Sequence, residues 1–325
     1  LKQSLPDKQD WNNCGVLQLA TNDKEVKRQR NFSQKFKMDD VLIPVDKQQA
    51  SALSGTQLDH PGLYFKDGAW VYPKAWCEKI LRHKNINLVE SCAIASIEQE
   101  NNGQWNCEAV ARSQQATFRS DVLVFCNANQ ARDFLPLSFL PTKPVSGQVT
   151  QVKQQAIDLK VVLCGEHYVT PTHNGALNFG ASYRIKSDSL DLLDSDDASN
   201  INNLKSSFNS VAEQADFSQS VSGRTSVRCT SPDYTPIAGP ICEQSHFLEV
   251  FKALKKNRKW KFKQPAKFVD GLFVNIGHGS RGLSSAPLCA ELIASQITGE
   301  PLPMPKNQAD MLNPNRFLVS KVIKS

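Results

Sequence analysis

The 325-residue sequence predicts a mixed α/β fold, and three observations carry that prediction. Residues 121–126, Asp121-Val122-Leu123-Val124-Phe125-Cys126, form a short, almost unbroken apolar run, the pattern of a strand buried on both faces. Residues 93–98 and 105–111 read as strands joined by the turn pair Asn102-Gly103. Near the C-terminal end, residues 272–276 read as a strand, Gly277-His278-Gly279-Ser280-Arg281-Gly282 as a glycine loop, and the following residues as a helix.

Taken in order, residues up to about Pro44 mix short helix and strand. Residues 62–65 and 69–72 flank Lys66-Asp67-Gly68 as a hairpin, with Gly68 tolerating positive φ at the turn. Pro73 opens a helix to about His83, with Trp76, Ile80 and Leu81 on one face. Residues 86–89 read as a further strand, and 121–126 runs out into Asn127-Ala128-Asn129 and a short helix. Residues 145–152, 161–164 and 177–183 are further strands, and 187–203 is an acidic surface loop leading into a helix near 201–208. The last helix is expected to be N-capped by Ser284 or Ser285, to carry Leu288, Leu292, Ile293 and Ile297 on its apolar face, and to end at Gly299.

Composition narrows the function classes. Apolar residues make up 40% and charged residues 22%, as in an ordinary globular protein. No apolar run reaches the roughly 18 residues a membrane span needs, so no membrane partner is expected. The opening Leu1-Lys2-Gln3-Ser4-Leu5-Pro6-Asp7 has no initiator Met and no signal-peptide core, and reads as a cut through a longer protein. Nine scattered cysteines without a Cys-x-x-Cys pair suggest reduced, cytoplasmic thiols. Cys164, His167 and His173 lack a second ligand pair, so they are read as residues flanking a turn, with no metal.

The net charge of +6 invites a polyanion. Lys252, Lys255, Lys256, Arg258, Lys259, Lys261, Lys263 and Lys267 are interleaved with Phe251, Trp260 and Phe262. A second basic group is Lys24, Lys27, Arg28, Arg30, Lys35 and Lys37. Cations for phosphates and rings for unpaired bases are what RNA binding requires, and a solvated charged face is the competing reading.

Gly277, Gly279 and Gly282 match the G-x-G-x-x-G spacing of a dinucleotide site. A Rossmann unit needs a second parallel strand after the helix, and Gly299-Glu300-Pro301-Leu302-Pro303 cannot supply one. The loop is therefore not read as a pyrophosphate seat; what remains is a helix N-terminus closing on a flavin or its ribityl chain, with a tight strand-to-helix turn that needs its glycines only for packing as the competing reading.

Residues 276–291, the closing Leu312-Asn313-Pro314-Asn315-Arg316-Phe317, Ser146-Gly147-Gln148-Val149, Gly180-Ala181-Ser182-Tyr183 and Val227-Arg228-Cys229-Thr230 with Asp233, Pro236 and Gly239 carry a resemblance. Together with the 68–73 stretch, they resemble the C-terminal half of the bacterial bifunctional tRNA 5-methylaminomethyl-2-thiouridine biosynthesis proteins. The resemblance implies a D-amino-acid-oxidase-like FAD-binding fold interleaved with an antiparallel-sheet substrate domain. The family's first nucleotide-binding βαβ unit does not precede Leu1, and Asn129 stands where the family usually has glycine.

On that basis residues 1–85 and 145–264 are assigned to the substrate part, 86–144 and 265–300 to the FAD part, and 301–325 to a tail. The implied activity is FAD-dependent oxidation of 5-carboxymethylaminomethyl-2-thiouridine in tRNA. An N-terminal methyltransferase half using S-adenosylmethionine belongs to the full-length family. Arg228 is implied as the substrate-carboxylate partner, with Tyr183 and Gln148 lining the substrate side. Gly277, His278, Gly279, Ser280, Arg281, Gly282 and Leu283 are expected to hold the cofactor, and Lys255, Lys256, Arg258, Lys259 and Lys261 the RNA. Two other readings stand beside this one: a flavin amine oxidase of a free amino acid of the glycine or sarcosine type, and an inactive tRNA-binding fragment.

Overall fold

The computed structural model describes residues 9–153, 157–218 and 221–324, so the opening stretch 1–7 lies outside the described residues. The chain divides into two compact interleaved units, one formed by residues 1–87, 146–184 and 189–227, the other by 88–145, 185–188 and 228–325.

The first unit is built on a large, mainly antiparallel sheet in which Lys143–Lys153, Ala176–Gly180, Tyr168–Val169, Val162–Cys164, Val16–Leu19, Gly62–Phe65 and Ile43–Val45 follow one another. Alternation along Val16–Leu19 turns Leu17 and Leu19 into a core with Val152, Leu163, Leu177 and Phe179. Helix Asp194–Ser207 closes that core through Leu204. Helix Lys47–Ser54 starts with a reciprocal capping box between Asp46 and Gln49 and stops at Gly55, whose φ of 78° is left-handed.

The second unit holds two three-stranded sheets. Cys92–Gln99, Trp105–Ala111 and Gln114–Ser120 form an antiparallel meander. In the other sheet Phe268–Ile276 lies between antiparallel Ile237–Cys242 and parallel Leu123–Phe125. Leu272, Val274 and Ile276 point from it into a core with Trp105, Phe125, Leu137 and Leu140.

Several expectations are corrected. Gly62–Phe65 and Trp70–Val71 are not partners: the first pairs with Val16–Leu19 and Ile43–Val45, the second with Trp11–Asn12. Gly68 is required there for space, since a Cβ would lie 2.5 Å from Val16 Cγ2. Residues 86–89 form no strand and are exposed, while the unexpected strand Gln114–Ser120 pairs along its whole length with Trp105–Ala111. Its sequence is polar because it forms the outer strand of its sheet.

Leu123–Phe125 is an edge strand among the described residues, paired only with Phe268–Ile276, and Val124 on one of its faces is exposed. The left-handed residue after it is Ala128, with φ 55°, and not Asn129. Helix Asp194–Ser207 begins inside the expected acidic loop, because Asp194, Asp196 and Asp197 suit the positive end of a helix. The expected tail is two helices, Lys306–Leu312 and Arg316–Lys324, the latter packing Leu318 and Val322 against Phe247 and Cys242. Residues 228–264 cluster in the second unit, together with residues 88–145.

Candidate functional site

The glycine loop leaves strand Phe268–Ile276 at Gly277, whose φ is 76° and whose added Cβ would sit 3.0 Å from Ile237 Cγ1. Only glycine meets both demands without pushing the Ile237 side chain aside. The Gly279 N–H then donates to Cys229 O at 2.8 Å, and His278 bridges to Thr230, so the loop is pinned by the run that contains Arg228. Helix Gly282–Thr298 begins immediately after Arg281.

Ser284 and Ser285 are not the N-cap, as the sequence reading had it. Both lie inside the first turn: the Ser284 hydroxyl donates back to Arg281 O at 3.0 Å, while the Ser285 hydroxyl, 2.9 Å from Arg281 O and 3.0 Å from His278 Nδ1, shares its one proton between the two. Arg281 occupies the cap and supplies no side-chain hydrogen bond, and the first turn holds no acidic residue. Among the described residues, the backbone N–H groups of Ser280, Gly282 and Leu283 have no acceptor. A positive helix end with open donors results, and it suits an electron-rich partner. The helix buries Cys289, Leu292, Ile293 and Ser295, leaving the expected core residues Leu288 and Ile297 exposed. No strand follows it before Lys306–Leu312, so it is not the first half of a βαβ unit.

His278 is engaged at both ring nitrogens. Nε2 lies 3.0 Å from Asn275 Oδ1 and Nδ1 lies 3.0 Å from Ser285 Oγ. Asn275 Nδ2 donates to Ala286 O, which leaves Oδ1 as the acceptor and puts the imidazole proton on Nε2. Burial lowers the His278 pKa, which favours the neutral ring. The ring therefore ties the strand end to the helix start. Sequence reading missed Asn275 in this role, and its only signal was a polar residue one place before the end of an apolar strand.

Arg228 lies in strand Val221–Thr230 in the same unit as the loop, one residue before the buried Cys229 that grips Gly279. Tyr183 and Gln148 belong to the first unit. Tyr183 is exposed, whereas Gln148 is fully buried. The Gln148 side-chain amide exchanges hydrogen bonds with the Leu193 backbone, at 2.9 and 3.1 Å, and the Gln148 backbone carbonyl accepts from Asn200 Nδ2 at 3.0 Å. That side chain clamps the segment leading into helix Asp194–Ser207. Lys255, Lys256, Arg258, Lys259 and Lys261 are all exposed.

Among the described residues no group of His, Cys, Asp and Glu could hold a metal ion, and no helix is long and apolar enough to cross a membrane. Cys164 and His167 flank the turn between Val162–Cys164 and Tyr168–Val169, and burial pushes the Cys164 thiol up to about 11.

The family model for FAD dependent oxidoreductases (DAO) matches residues 2–296. The tRNA 5-methylaminomethyl-2-thiouridine biosynthesis bifunctional protein MnmC of Pseudomonas fluorescens is 36% identical over 322 residues, covering 97% of this chain and 48% of that protein. The protein of the same name from Pseudomonas savastanoi pv. phaseolicola is 36% identical over 321 residues, with the same coverage. The chain thus spans about half the length of the curated relatives it matches. Among solved structures, glycine oxidase from Geobacillus kaustophilus superposes with a TM-score of 0.75 at 16% identity, over 97% of this chain and 78% of that one. Iminodiacetate oxidase from Chelativorans sp. BNC1 gives 0.66 at 17%, over 91% and 74%. These two likenesses are of fold. With the family model matched from residue 2 to residue 296, the chain belongs to the FAD dependent oxidoreductase family: it is an enzyme, and its cofactor is FAD.

Proposed function

We propose that this chain is the oxidoreductase part of a tRNA wobble-uridine modifying enzyme, converting 5-carboxymethylaminomethyl-2-thiouridine to 5-aminomethyl-2-thiouridine. The observation that carries the reading is 36% identity, over 97% of the chain, to proteins named for 5-methylaminomethyl-2-thiouridine biosynthesis. The open N–H groups of Ser280, Gly282 and Leu283 fit a flavin, whose N1–C2=O edge is electron-rich, and Arg281 adds a positive charge beside them. Gly277 and Gly279 give that cradle its shape, and His278 keeps it through Asn275 and Ser285.

Bound FAD supplies a two-electron acceptor. The substrate side chain is an N-substituted glycine. Its neutral amine loses a hydride from the carbon beside nitrogen, and water then splits the resulting iminium into a primary amine and glyoxylate. No general base is needed for the hydride step. Arg228 binds the carboxylate through its planar guanidinium, a geometry a lysine cannot reproduce. Tyr183 lines the substrate side, and Gln148 acts as a positioning residue by fixing the backbone at Leu193. Lys255, Lys256, Arg258, Lys259 and Lys261 take tRNA phosphates. The partner half in the longer relatives would be the methyltransferase, and the setting is the cytoplasm, where tRNA is modified.

The test is turnover by the FAD-saturated protein of tRNA bearing the carboxymethylaminomethyl group, read by nucleoside mass spectrometry together with glyoxylate release. Equal amounts of 5-aminomethyl product and glyoxylate are expected, with Arg228→Lys raising KM at least about tenfold, the loss of ~1.4 kcal/mol. The likeness to glycine oxidase favours a second reading, oxidation of a free amino acid. Free glycine turned over as fast as the tRNA would replace the first reading with the second.

A further inference from the structure

The basic stretch 252–267 looks uniform in sequence, and the structure divides it. Lys252 pairs with Glu249 and Lys267 with Glu243, each at 2.6 Å, so these two cations are neutralised at the ends of the stretch. Lys256, Arg258, Lys259, Lys261 and Lys263 make no ion pair among the described residues and are exposed.

The three aromatic rings divide as well. Phe251 stacks 4.5 Å from buried Phe247, and Phe262 lies 4.7 Å from Phe251. Both are spent on anchoring the stretch to the core that also holds Leu318 and Val322. Trp260, two residues before that anchor, meets no other ring among the described residues and is 56% exposed. Its position is set by a turn: Asn257 N–H donates to Ala253 O at 3.0 Å, Lys259 N–H to Asn257 Oδ1 at 2.9 Å, and Trp260 N–H to Asn257 O at 3.1 Å. A large indole held out in water, between two anchors and among five unpaired cations, is a surface made for a partner.

We infer that Trp260 is the stacking platform for one unpaired RNA nucleotide, with the neighbouring cations on its phosphates. The chemistry selects that ligand. Lysines and an arginine recognise a polyanion, while an indole face recognises a flat π-system, and a single-stranded nucleotide offers both. Bases in a duplex are already stacked on each other and offer the indole no free face. The inference rests on the reading of tRNA as substrate, and it narrows that reading to contact with an unpaired segment.

The test is equilibrium binding of the FAD-saturated protein to single-stranded oligouridylate and to an RNA duplex, across a salt series. Trp260→Ala is expected to weaken the single strand about tenfold, ~1.4 kcal/mol. The duplex affinity and the slope of log K against log salt should stay unchanged, because no cation is removed. Trp260→Phe should retain most of the affinity. The double variant Lys259→Ala/Lys261→Ala should instead flatten the slope by about 1.4, two phosphate contacts at ~0.7 each on single strands. Unaltered single-strand binding by Trp260→Ala overturns the inference, and so does an equal loss on both RNAs, which would make the indole structural. Binding is read without turnover, so a Trp260 effect with no tRNA oxidation would remove the reaction alone. Turnover of tRNA with a silent Trp260 would remove only the platform.

Discussion

At Gly277 two independent constraints meet on one residue: a left-handed φ of 76° and a Cβ position 3.0 Å from Ile237 Cγ1. Gly103 shares the first constraint, with φ 87°, but nothing lies within 4 Å of its Cβ position. Alanine at Gly103 should therefore cost about 1–2 kcal/mol for the backbone alone. Gly277→Ala should cost more, by about a further 1 kcal/mol of overpacking. Urea denaturation of the two variants checks this, and equal costs would mean that Ile237 gives way freely. The spacing of Gly277 and Gly279 was legible in the sequence because glycine punctuation is local. The purpose of Gly277 was not, because Ile237 lies on another strand.

At the scale of elements, the last helix is joined to a turn far away in the chain. Arg316 grips Asp233 with Nε and Nη2, at 2.8 and 3.1 Å, and gives its remaining N–H groups to the carbonyls of Leu312, Asn313 and Thr235. Asn315 completes the join, accepting from Cys242 N–H and donating to Pro240 O across the irregularity in strand Ile237–Cys242. Its amide stands in for a neighbouring strand where the ladder is interrupted. Burial alone would raise the Asp233 pKa. Hydrogen bonds from Arg316, Ser231 and the Thr235 N–H outweigh it and hold the group at about 2.

A carboxylate depressed in the folded state stabilises above its unfolded pKa of ~3.9, and the contribution is lost as pH falls toward 2. Asp233→Asn is thus expected to lower stability at pH 7, with the gap to the parent narrowing from about pH 5 downward. The half-exposed carboxylate keeps the effect modest, since solvent screens the pair. Chemical denaturation at pH 7, 5 and 3 measures it, and a gap that stays constant with pH would remove the ion-pair explanation.

For the whole molecule, a net charge of +6 says only that a polyanion is welcome. Within the stretch 252–267 that charge is available on Lys256, Arg258, Lys259, Lys261 and Lys263, which make no ion pair among the described residues. Replacing all five by alanine should flatten the salt dependence of tRNA binding by about 3.5, at ~0.7 per phosphate contact on unpaired RNA. Filter binding between 50 and 200 mM salt, a range chosen roughly to span that dependence, reads the slope directly. An unchanged slope would move the RNA surface elsewhere, the helix Asp23–Lys35 being the other basic face.

The amino-acid pattern settled local features. It gave the helix from Pro73, the strand, glycine loop and helix near the C-terminal end, and the Gly299 stop, because periodicity and Gly/Pro chemistry act within a few residues. The family resemblance was legible for the same reason, in short blocks. What those blocks do depends on the folded chain. It sent Gln148 inward as a clamp, held His278 at both nitrogens, and placed the left-handed turn at Ala128. It also left Trp260 out while Phe251 packs on Phe247 and Phe262 on Phe251. Each of these depends on partners supplied from elsewhere in the fold, as Arg316 and Asp233 do across 83 residues. No local pattern can encode which distant backbone will satisfy a buried amide, or which ring will find a core and which will face water.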